Sequence, residues 1–274
     1  MDTDLTVLSV DIDGVRMAYW DTNAAASAGR TVVYVHGNTG GKIWFSRVMA
    51  PPVPPGVRVV APDLPNFGES DHLDGADIDL YARYLSAFLE RVDIRHAVVV
   101  GHSLGGAVVT AAAGRAIDRI SRLVLVDPAP LDGLVTPEEY YPVIEQYRHD
   151  RTLMAHALAA VTPTMDDPAL LEELTDTALR MNPLAFSGNP RALSRMDLRD
   201  AAAEIACPVL VVRGDRDRLI TEEMASATAA GFPMGMYRRL EGVGHSVMVE
   251  DPPRFLEIIA EVTGAPGATD AVDG

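Results

Sequence analysis

The chain has 274 residues, of which 48% are apolar and 23% are charged, the composition of an ordinary folded globular protein. An α/β chain of this length commonly forms a single domain around one core. The formal net charge of −16 disfavours nucleic acid and anionic membrane surfaces as partners, because an acidic surface repels both.

The N-terminus and the cysteine content indicate a cytoplasmic protein. The opening Met-Asp-Thr-Asp-Leu-Thr lacks the basic and apolar regions of a signal peptide, and no stretch reaches the roughly 18 apolar residues of a membrane helix. The one cysteine, Cys207, cannot form an internal disulfide and stands in an apolar run. We therefore expect a cytoplasmic protein with no membrane partner, and a homodimer stays open.

Short apolar runs mark the predicted strands. The first two, 5–12 and 14–20, are separated by Asp13-Gly14, which is a hairpin signal. A weaker run begins at 236. The other runs are apolar and β-branched without alternation, as in strands that are buried on both faces. They are 31–35, 57–61, 96–100, 122–126 and 208–212.

Helix-like segments alternate with these strands. Apolar residues recur at helical spacing in the first of them, and the others begin with capping residues or prolines or are rich in alanine. Alternation of this kind predicts an α/β fold with a mostly parallel, doubly wound sheet, whose core comprises 1–128 and 204–263. The predicted helices are 77–92, 104–116, 221–230 and 252–262.

The alternation stops between the sixth and seventh predicted strands, 122–126 and 208–212. Residues 129–203 are helical in pattern and contain no strand-like run, which predicts a helical lid (cap) inserted after the sixth strand. The alternative is a set of extra helices on the outside of the sheet. The tail, 264–274, is small and polar and is predicted to be disordered.

The strongest local signal is the sequence Gly-His-Ser-Leu-Gly-Gly at 101–106, between a buried strand and an alanine-rich helix. A Gly-x-Ser-x-Gly at such a turn is typical of a nucleophile elbow, which exposes the serine hydroxyl at the start of the helix. Side chains at 101 or 105 would clash with neighbouring backbone. Ser103 is thus the candidate nucleophile, and a capping serine in a glycine-rich turn is the alternative.

A serine nucleophile needs a base, and the base needs an acid to orient it. His245 follows the last strand-like run between glycine and serine, which suits a loop that holds an imidazole in place. Asp217 follows strand 208–212 and is the favoured acid. Asp215 is interpreted as a turn former, and Asp127, after strand 122–126, is a third candidate.

A glycine-rich loop at 36–41 follows strand 31–35. A backbone N–H of this loop can point to the same place as the N–H of the residue after the nucleophile, and such donors stabilise an oxyanion by about 3–4 kcal/mol. We assign these two donors to Asn38 and Leu104. His36 is interpreted as a structural residue of the loop.

These motifs resemble the capped α/β-hydrolase superfamily from about residue 5 to 263, in particular its serine carboxylesterases and lactonases. Serine at 103 argues against dehalogenases and epoxide hydrolases, which use aspartate there, and Asn66 departs from the more usual glycine. The motifs that carry the resemblance are His36–Asn38, Pro62–Ser70, the turn at 101–106, Gly214–Asp217 and Gly244-His245.

The resemblance and the triad imply hydrolysis of a carboxylic ester or lactone of a small, partly apolar molecule through an acyl-enzyme. A carbon–carbon bond hydrolase or thioesterase with the same triad is one alternative, and a non-catalytic small-molecule receptor is another. No metal or organic cofactor is expected. Candidate substrate-binding residues, chosen by composition and position, are Trp44, Tyr140, Met154, Met165, Phe186 and Val247.

Overall fold

The computed structural model describes residues 5–22, 30–49, 56–116 and 118–265, so most of the predicted tail lies outside the described residues. In this part of the chain eight strands form one sheet in the order β1-β2-β4-β3-β5-β6-β7-β8. The strands are β1 Leu8–Ile12, β2 Val15–Asp21, β3 Arg30–Val35, β4 Val57–Pro62, β5 Ala97–His102, β6 Ile120–Val126, β7 Val209–Gly214 and β8 Gly235–Leu240.

Helices cover both faces of the sheet, as the alternating pattern predicted. Short 3-10 turns occur at Lys42–Phe45 and Glu138–Tyr140. The helices are α1 Ser46–Met49, α2 Ile78–Arg91, α3 Leu104–Ala113, α4 Tyr141–Gln146, α5 Arg151–Val161, α6 Pro168–Leu179, α7 Ala185–Arg195, α8 Arg199–Ala203, α9 Glu222–Ala230, α10 Val247–Glu250 and α11 Pro252–Thr263. No described helix is long and apolar enough to cross a bilayer.

The sheet is parallel from β4 to β8 and antiparallel where β2 joins β1 and β4. The first two strands form the expected hairpin, in which Asp13 and Gly14 both take left-handed backbone angles and the Gly14 N–H donates to the Asp11 carboxylate. Every residue of β5 and of β7 is buried, which explains why their sequences are apolar without alternation.

The register of the parallel strands brings their carboxyl ends together. Val35 at the end of β3 pairs with Gly101, and Val126 at the end of β6 pairs with both His102 and Val212. The segments that follow β3, β5, β6 and β7 therefore leave the sheet side by side. In an open α/β sheet this edge is where ligands bind.

Five α-helices, α4 to α8, lie between β6 and β7, and the chain from 127 to 208, all of it described, contains no strand. Asp150 and Asp167 cap α5 and α6 by accepting backbone N–H groups of the first helical turn. We call residues 129–203 the helical insertion. The eight-stranded, mostly parallel fold class is confirmed, while the covering role of the insertion stays a prediction.

Candidate active site

The turn after β5 holds Ser103 in a left-handed backbone conformation, with φ 53° and ψ −118°, at the start of α3. The predicted need for glycines is confirmed. A Cβ on Gly101 would lie 2.6 Å from the carbonyl oxygen of Gly105, and a Cβ on Gly105 would lie 2.5 Å from the carbonyl oxygens of Val35 and His36. The close approach puts the Ser103 side chain at the carboxyl edge of the sheet, over the positive end of a helix.

His245 and Asp217, which are 28 residues apart in the chain, meet in a buried hydrogen bond of 2.7 Å between Nδ1 and Oδ2. The other carboxylate oxygen of Asp217 accepts the backbone N–H groups of Leu219 and Ile220. Burial opposes ionisation, but these bonds and the histidine outweigh it and lower the pKa of Asp217. An ionised Asp217 keeps the proton of His245 on Nδ1 and leaves Nε2 free to act as a base.

The elbow and the histidine loop are in direct contact. His102 Nε2 lies 3.0 Å from the carbonyl oxygen of His245, and the two rings are 5.0 Å apart. Among the hydrogen bonds of the described residues, none joins Ser103 Oγ to His245. Such a bond is often long before substrate binds and shortens in the reacting complex.

The loop after β3 lies against the nucleophile. A Cβ on Gly37 would come within 2.9 Å of the Ser103 Cβ. His36 anchors this loop to the segment after β4, because its Nδ1 donates to the Gly37 carbonyl and its Nε2 accepts the Leu64 N–H. This is the structural position predicted for His36, and burial lowers its pKa.

Two backbone donors remain for an oxyanion. In the described part of the chain, no hydrogen bond uses the backbone N–H of Asn38 or of Leu104. Leu104 is the first residue of α3, where an N–H has no partner within the helix. The predicted oxyanion donors are thus available on the two segments that flank Ser103.

Glu250 holds the histidine loop from both sides, a feature that sequence analysis missed. One carboxylate oxygen accepts the Ser246 N–H at 2.9 Å, and the other accepts the Gly244 N–H at 3.0 Å. The second oxygen also bonds Thr164 of the helical insertion. The His245 N–H itself donates to the carbonyl of Val161 at 3.3 Å, at the end of α5.

A second set of hydrogen bonds links the glycine-rich loop at 36–41, here called the oxyanion loop, to the helical insertion. These hydrogen bonds were not predicted from the sequence either. The Asn38 side-chain oxygen accepts from Asn189 of α7 at 2.8 Å, and Asn189 in turn accepts from the Tyr81 hydroxyl at 2.8 Å. Asn66 donates to the same hydroxyl and accepts from Asn182. Asn66, which has a left-handed backbone with φ 78°, was the available signal, because its side chain departs from the pattern of the family that the sequence resembles.

The motif at 62–70 is held by hydrogen bonds and an ion pair that centre on Asp63. Asp63 accepts the backbone N–H groups of Lys42 and Glu69, and its carboxylate pairs with the Lys42 ammonium at 2.7 Å. The Lys42 ammonium also bonds Glu69 at 2.6 Å. This buried ion pair fixes the segment that follows the oxyanion loop.

Two of the predicted substrate-binding residues lie beside the triad. The Trp44 ring is buried with its centroid 5.5 Å from that of His102, and Val247 is a buried residue two positions after His245. Both are packed within the core cluster. Their contact with substrate stays a prediction.

The other four are in the helical insertion. Met154 on α5 and Phe186 on α7 are buried, and Met165, after α5, is half-buried against the core. Tyr140 differs, because 55% of its surface is exposed. The prediction that Tyr140 lines a substrate pocket therefore has no support from burial in this conformation.

The two competing acids occupy other positions. Asp215 accepts the Gly242 N–H at 2.8 Å and pairs with Arg239, so it fixes the turn that leads to the histidine loop. Asp127 is fully buried, and its carboxyl accepts the Gly214 N–H rather than a hydrogen bond from His245. Asp127, Asp217 and His245 bring ligand-type atoms within 4.8 Å of one another, but the triad bond uses two of those atoms.

Comparison with known proteins agrees with this geometry. Residues 32–258 match the sequence profile of the family described as "Alpha/beta hydrolase family". The chain belongs to the α/β-hydrolase family. This α/β-hydrolase also has curated relatives named 2-hydroxy-6-oxononadienedioate/2-hydroxy-6-oxononatrienedioate hydrolase. The relative from Cupriavidus pinatubonensis is 27% identical over 266 residues, 89% of each chain. The one from Escherichia coli K12 is 26% identical, over 89% of this chain and 90% of its own.

Solved structures show the same fold at lower sequence identity. The enol-lactonase from Burkholderia xenovorans LB400 superposes with a TM-score of 0.81 at 22% identity, covering 93% of this α/β-hydrolase and 98% of its own chain. An esterase from Exiguobacterium antarcticum superposes with a TM-score of 0.83 at 19% identity, covering 95% and 99%.

Proposed function

We propose that this hydrolase cleaves a carboxylic ester or lactone by a serine mechanism. Ser103 is the nucleophile, His245 the general base and Asp217 the acid that orients it. The observation that carries the proposal is the buried 2.7 Å bond between His245 and Asp217, beside a strained serine turn. A catalytic triad is recognised by the geometry and roles of its members rather than by their order in the chain, and this bond and turn support that assignment.

In this mechanism His245 Nε2 takes the Ser103 proton while Oγ attacks the substrate carbonyl. The oxygen of the tetrahedral intermediate accepts the N–H groups of Asn38 and Leu104. His245 then protonates the leaving oxygen, and an acyl-enzyme remains on Ser103. Water activated by the same nitrogen attacks the acyl group and restores the free serine.

The charges around the site favour a neutral substrate. The buried cationic side chains of the described residues are Lys42 and Arg213. Lys42 is paired with Asp63 and Glu69, and Arg213 donates to the backbone carbonyls of Asp217 and Ile220. Neither is free to pair with a substrate carboxylate, and a buried carboxylate without a partner is costly.

A carbon–carbon bond hydrolase is the second candidate, and the names of the curated relatives favour it. The same Ser103 and His245 would serve, with a carbanion in place of an alkoxide as leaving group. Their named substrate is a dioate, which would need a cationic partner for each carboxylate. A receptor that binds such molecules without turnover is the candidate of another class.

The helical insertion is proposed to act as a lid, with Trp44, Met154, Met165, Phe186 and Val247 as its apolar lining. The proposed binding partner is a small-molecule substrate. The protein is proposed to be cytoplasmic. The net charge of −16 speaks against nucleic acid and anionic lipid as partners.

The decisive experiment compares wild type and Ser103→Ala on p-nitrophenyl esters of increasing chain length, on lactones, and on a 2-hydroxy-6-oxo-dienoate followed by its absorbance. Ester or lactone turnover that disappears in Ser103→Ala supports the proposal. Turnover of the dienoate, without turnover of esters or lactones, would instead support carbon–carbon bond cleavage as the activity. Tight binding of these compounds without turnover by the folded wild type indicates a receptor. Ser86→Ala, on α2 away from the site, is the matched control.

A further inference from the structure

A second carboxyl group lies directly behind the triad acid. Asp127 follows β6 and is 0% exposed, and its backbone N–H donates to the Val212 carbonyl in β7. One of its carboxyl oxygens, Oδ1, accepts the Gly214 N–H at 2.9 Å. The side chain therefore has a fixed orientation between β7 and the segment that carries Asp217.

The other oxygen, Oδ2, has no donor. It is buried and receives no hydrogen bond from any described group, and a carboxyl oxygen of Asp127 lies within 4.8 Å of one of the Asp217 carboxylate. Two ionised carboxylates in this contact would repel each other strongly in a medium of low dielectric. A proton on Oδ2 removes the repulsion and turns an unpaired acceptor into a donor.

The surroundings decide which carboxyl holds that proton. Asp217 already accepts His245 and two backbone N–H groups, all of which favour its charged form. Asp127 accepts a single backbone N–H, and the charged or titratable groups that face it are Asp217, Arg213 and His245. Burial first, and then the charge of Asp217, raise the pKa of Asp127 well above its ordinary range.

We propose that Asp127 is a neutral carboxylic acid that donates a hydrogen bond to Asp217 and acts as a positioning residue of the triad. The proton shared along this contact holds the Asp217 carboxylate in the plane that meets His245 Nδ1. The catalytic part of this inference rests on the proposed function, whereas the protonation state does not.

Two substitutions of Asp127 test whether the residue acts as a neutral hydrogen-bond donor to Asp217. Asp127→Asn has the same shape, and its amide can accept the Gly214 N–H and donate to Asp217 as the protonated acid does. Asp127→Gly removes the donor while tolerating the left-handed backbone at this position, where φ is 44°. Asp215→Asn, an acid of the neighbouring turn, is the control.

The first readout needs no substrate. Unfolding by urea is measured from about pH 5, above the pKa of about 3.9 for an unfolded aspartate, to neutral pH. A group whose pKa is raised by folding loses stabilising effect as the pH rises. As the pH rises, wild type should therefore lose stability relative to Asp127→Asn. The ratio of their equilibrium constants for unfolding should change by up to about tenfold per pH unit. A difference that stays constant with pH would mean that Asp127 is ionised in the folded protein, and would overturn the proposal.

Infrared difference spectroscopy gives a second readout. Wild type at neutral pH should show the carbonyl band of a protonated carboxylic acid, and Asp127→Asn should lack it while Asp215→Asn retains it. No such band in folded wild type would contradict the proposal. Both readouts hold even if no ester, lactone or dienoate is turned over, so failure of the proposed function is distinguished from failure of this inference.

Kinetics test the positioning role. In a plot of reaction rate against pH, the acidic limb for Asp127→Asn should coincide with that for wild type, because the substitution removes no charge. Loss of an ionised neighbour would instead move the limb by about one pH unit or more. Asp127→Gly should lower kcat by about tenfold with little change in KM, since a hydrogen bond to a charged group is lost. Unchanged kcat in folded Asp127→Gly would refute the positioning role.

Discussion

The carboxylate of Glu250 accepts two hydrogen bonds from Thr164, one from the hydroxyl at 2.6 Å and one from the backbone N–H at 3.1 Å. Because the same carboxylate also holds the N–H groups of Gly244 and Ser246, one side chain joins the helical insertion to the histidine loop. The end of α5 and the segment after it are therefore part of the framework of the triad. Any opening of the insertion has to leave this contact in place or disturb His245.

Glu250→Gln should disturb His245 without removing a catalytic group. The glutamine amide places donors where the carboxylate accepts backbone N–H groups, so the loop shifts, and a shift on the order of 1 Å can lower the rate about 100-fold. We expect kcat to fall about tenfold to 100-fold, measured on the best substrate. Glu257→Gln, on the exposed face of α11, should match wild type. Equal kcat values for both variants would show that Glu250 does not position the loop.

Asn189→Leu should misplace the oxyanion loop. It removes the donor to the Asn38 side chain and leaves the Tyr81 hydroxyl with one buried partner fewer. We expect a kcat loss of about tenfold or more, together with about 1–3 kcal/mol of lost stability. Tyr81→Phe, which keeps the ring and leaves the bond between Asn38 and Asn189 intact, should lose stability while kcat stays within about twofold. Equal kcat losses in the two variants would contradict the assignment.

Stability should fall as the pH drops below about 6.5, the ordinary pKa of histidine. Burial lowers the pKa values of His36 and His102, so the unfolded chain takes up protons that the folded protein does not. Each histidine contributes up to about 1.4 kcal/mol per pH unit to this loss. Urea unfolding across this range measures it. The slope should be shallower in His36→Asn and unchanged in His149→Gln, at an exposed site. A slope that is the same in all three proteins would exclude His36 as a cause.

Two glycines, Gly105 in α3 and Gly114 just after its end, should respond in opposite directions to alanine. At Gly105 the new Cβ meets backbone carbonyl oxygens at 2.5 Å, and we expect a loss of about 3 kcal/mol or more. Gly114 has nothing within 4 Å of a Cβ and a right-handed backbone, so Gly114→Ala should stabilise the protein by about 0.5 kcal/mol. Thermal or urea unfolding measures both. A Gly105→Ala protein as stable as wild type would mean that β3 and α3 can separate at no cost.

The sequence predicted those parts of the fold that depend on local pattern. Buried parallel strands are apolar throughout, and the serine turn needs glycines at fixed positions, so β5 and Ser103 were recognisable. The meeting of His245 with Asp217 could be predicted because each follows a strand whose carboxyl end lies at one edge of the sheet. Local pattern also predicted the helix at 221–230, and in the structure Thr221 caps α9 by accepting the Met224 N–H.

The supporting contacts could not be predicted in the same way. Asn38 and Asn189 are 151 residues apart, and an asparagine in a loop or helix carries no periodic signal of its partner. Asp127 was weighed as a partner of His245, since it follows a strand at the right edge. Its hydrogen bond is instead with the Gly214 N–H, and that depends on the packing of β6 against β7 rather than on any spacing in the chain.

Lys42 is the only lysine in the sequence, and its ammonium group is buried between Asp63 and Glu69. An amine that is buried and paired with two carboxylates does not react with acylating reagents until the surrounding structure opens. The side chain is consequently a natural chemical probe, in which the rate of acylation at one position reports how often the segment beside the oxyanion loop unfolds. Amine-directed immobilisation or labelling of the native enzyme will also leave this region unmodified.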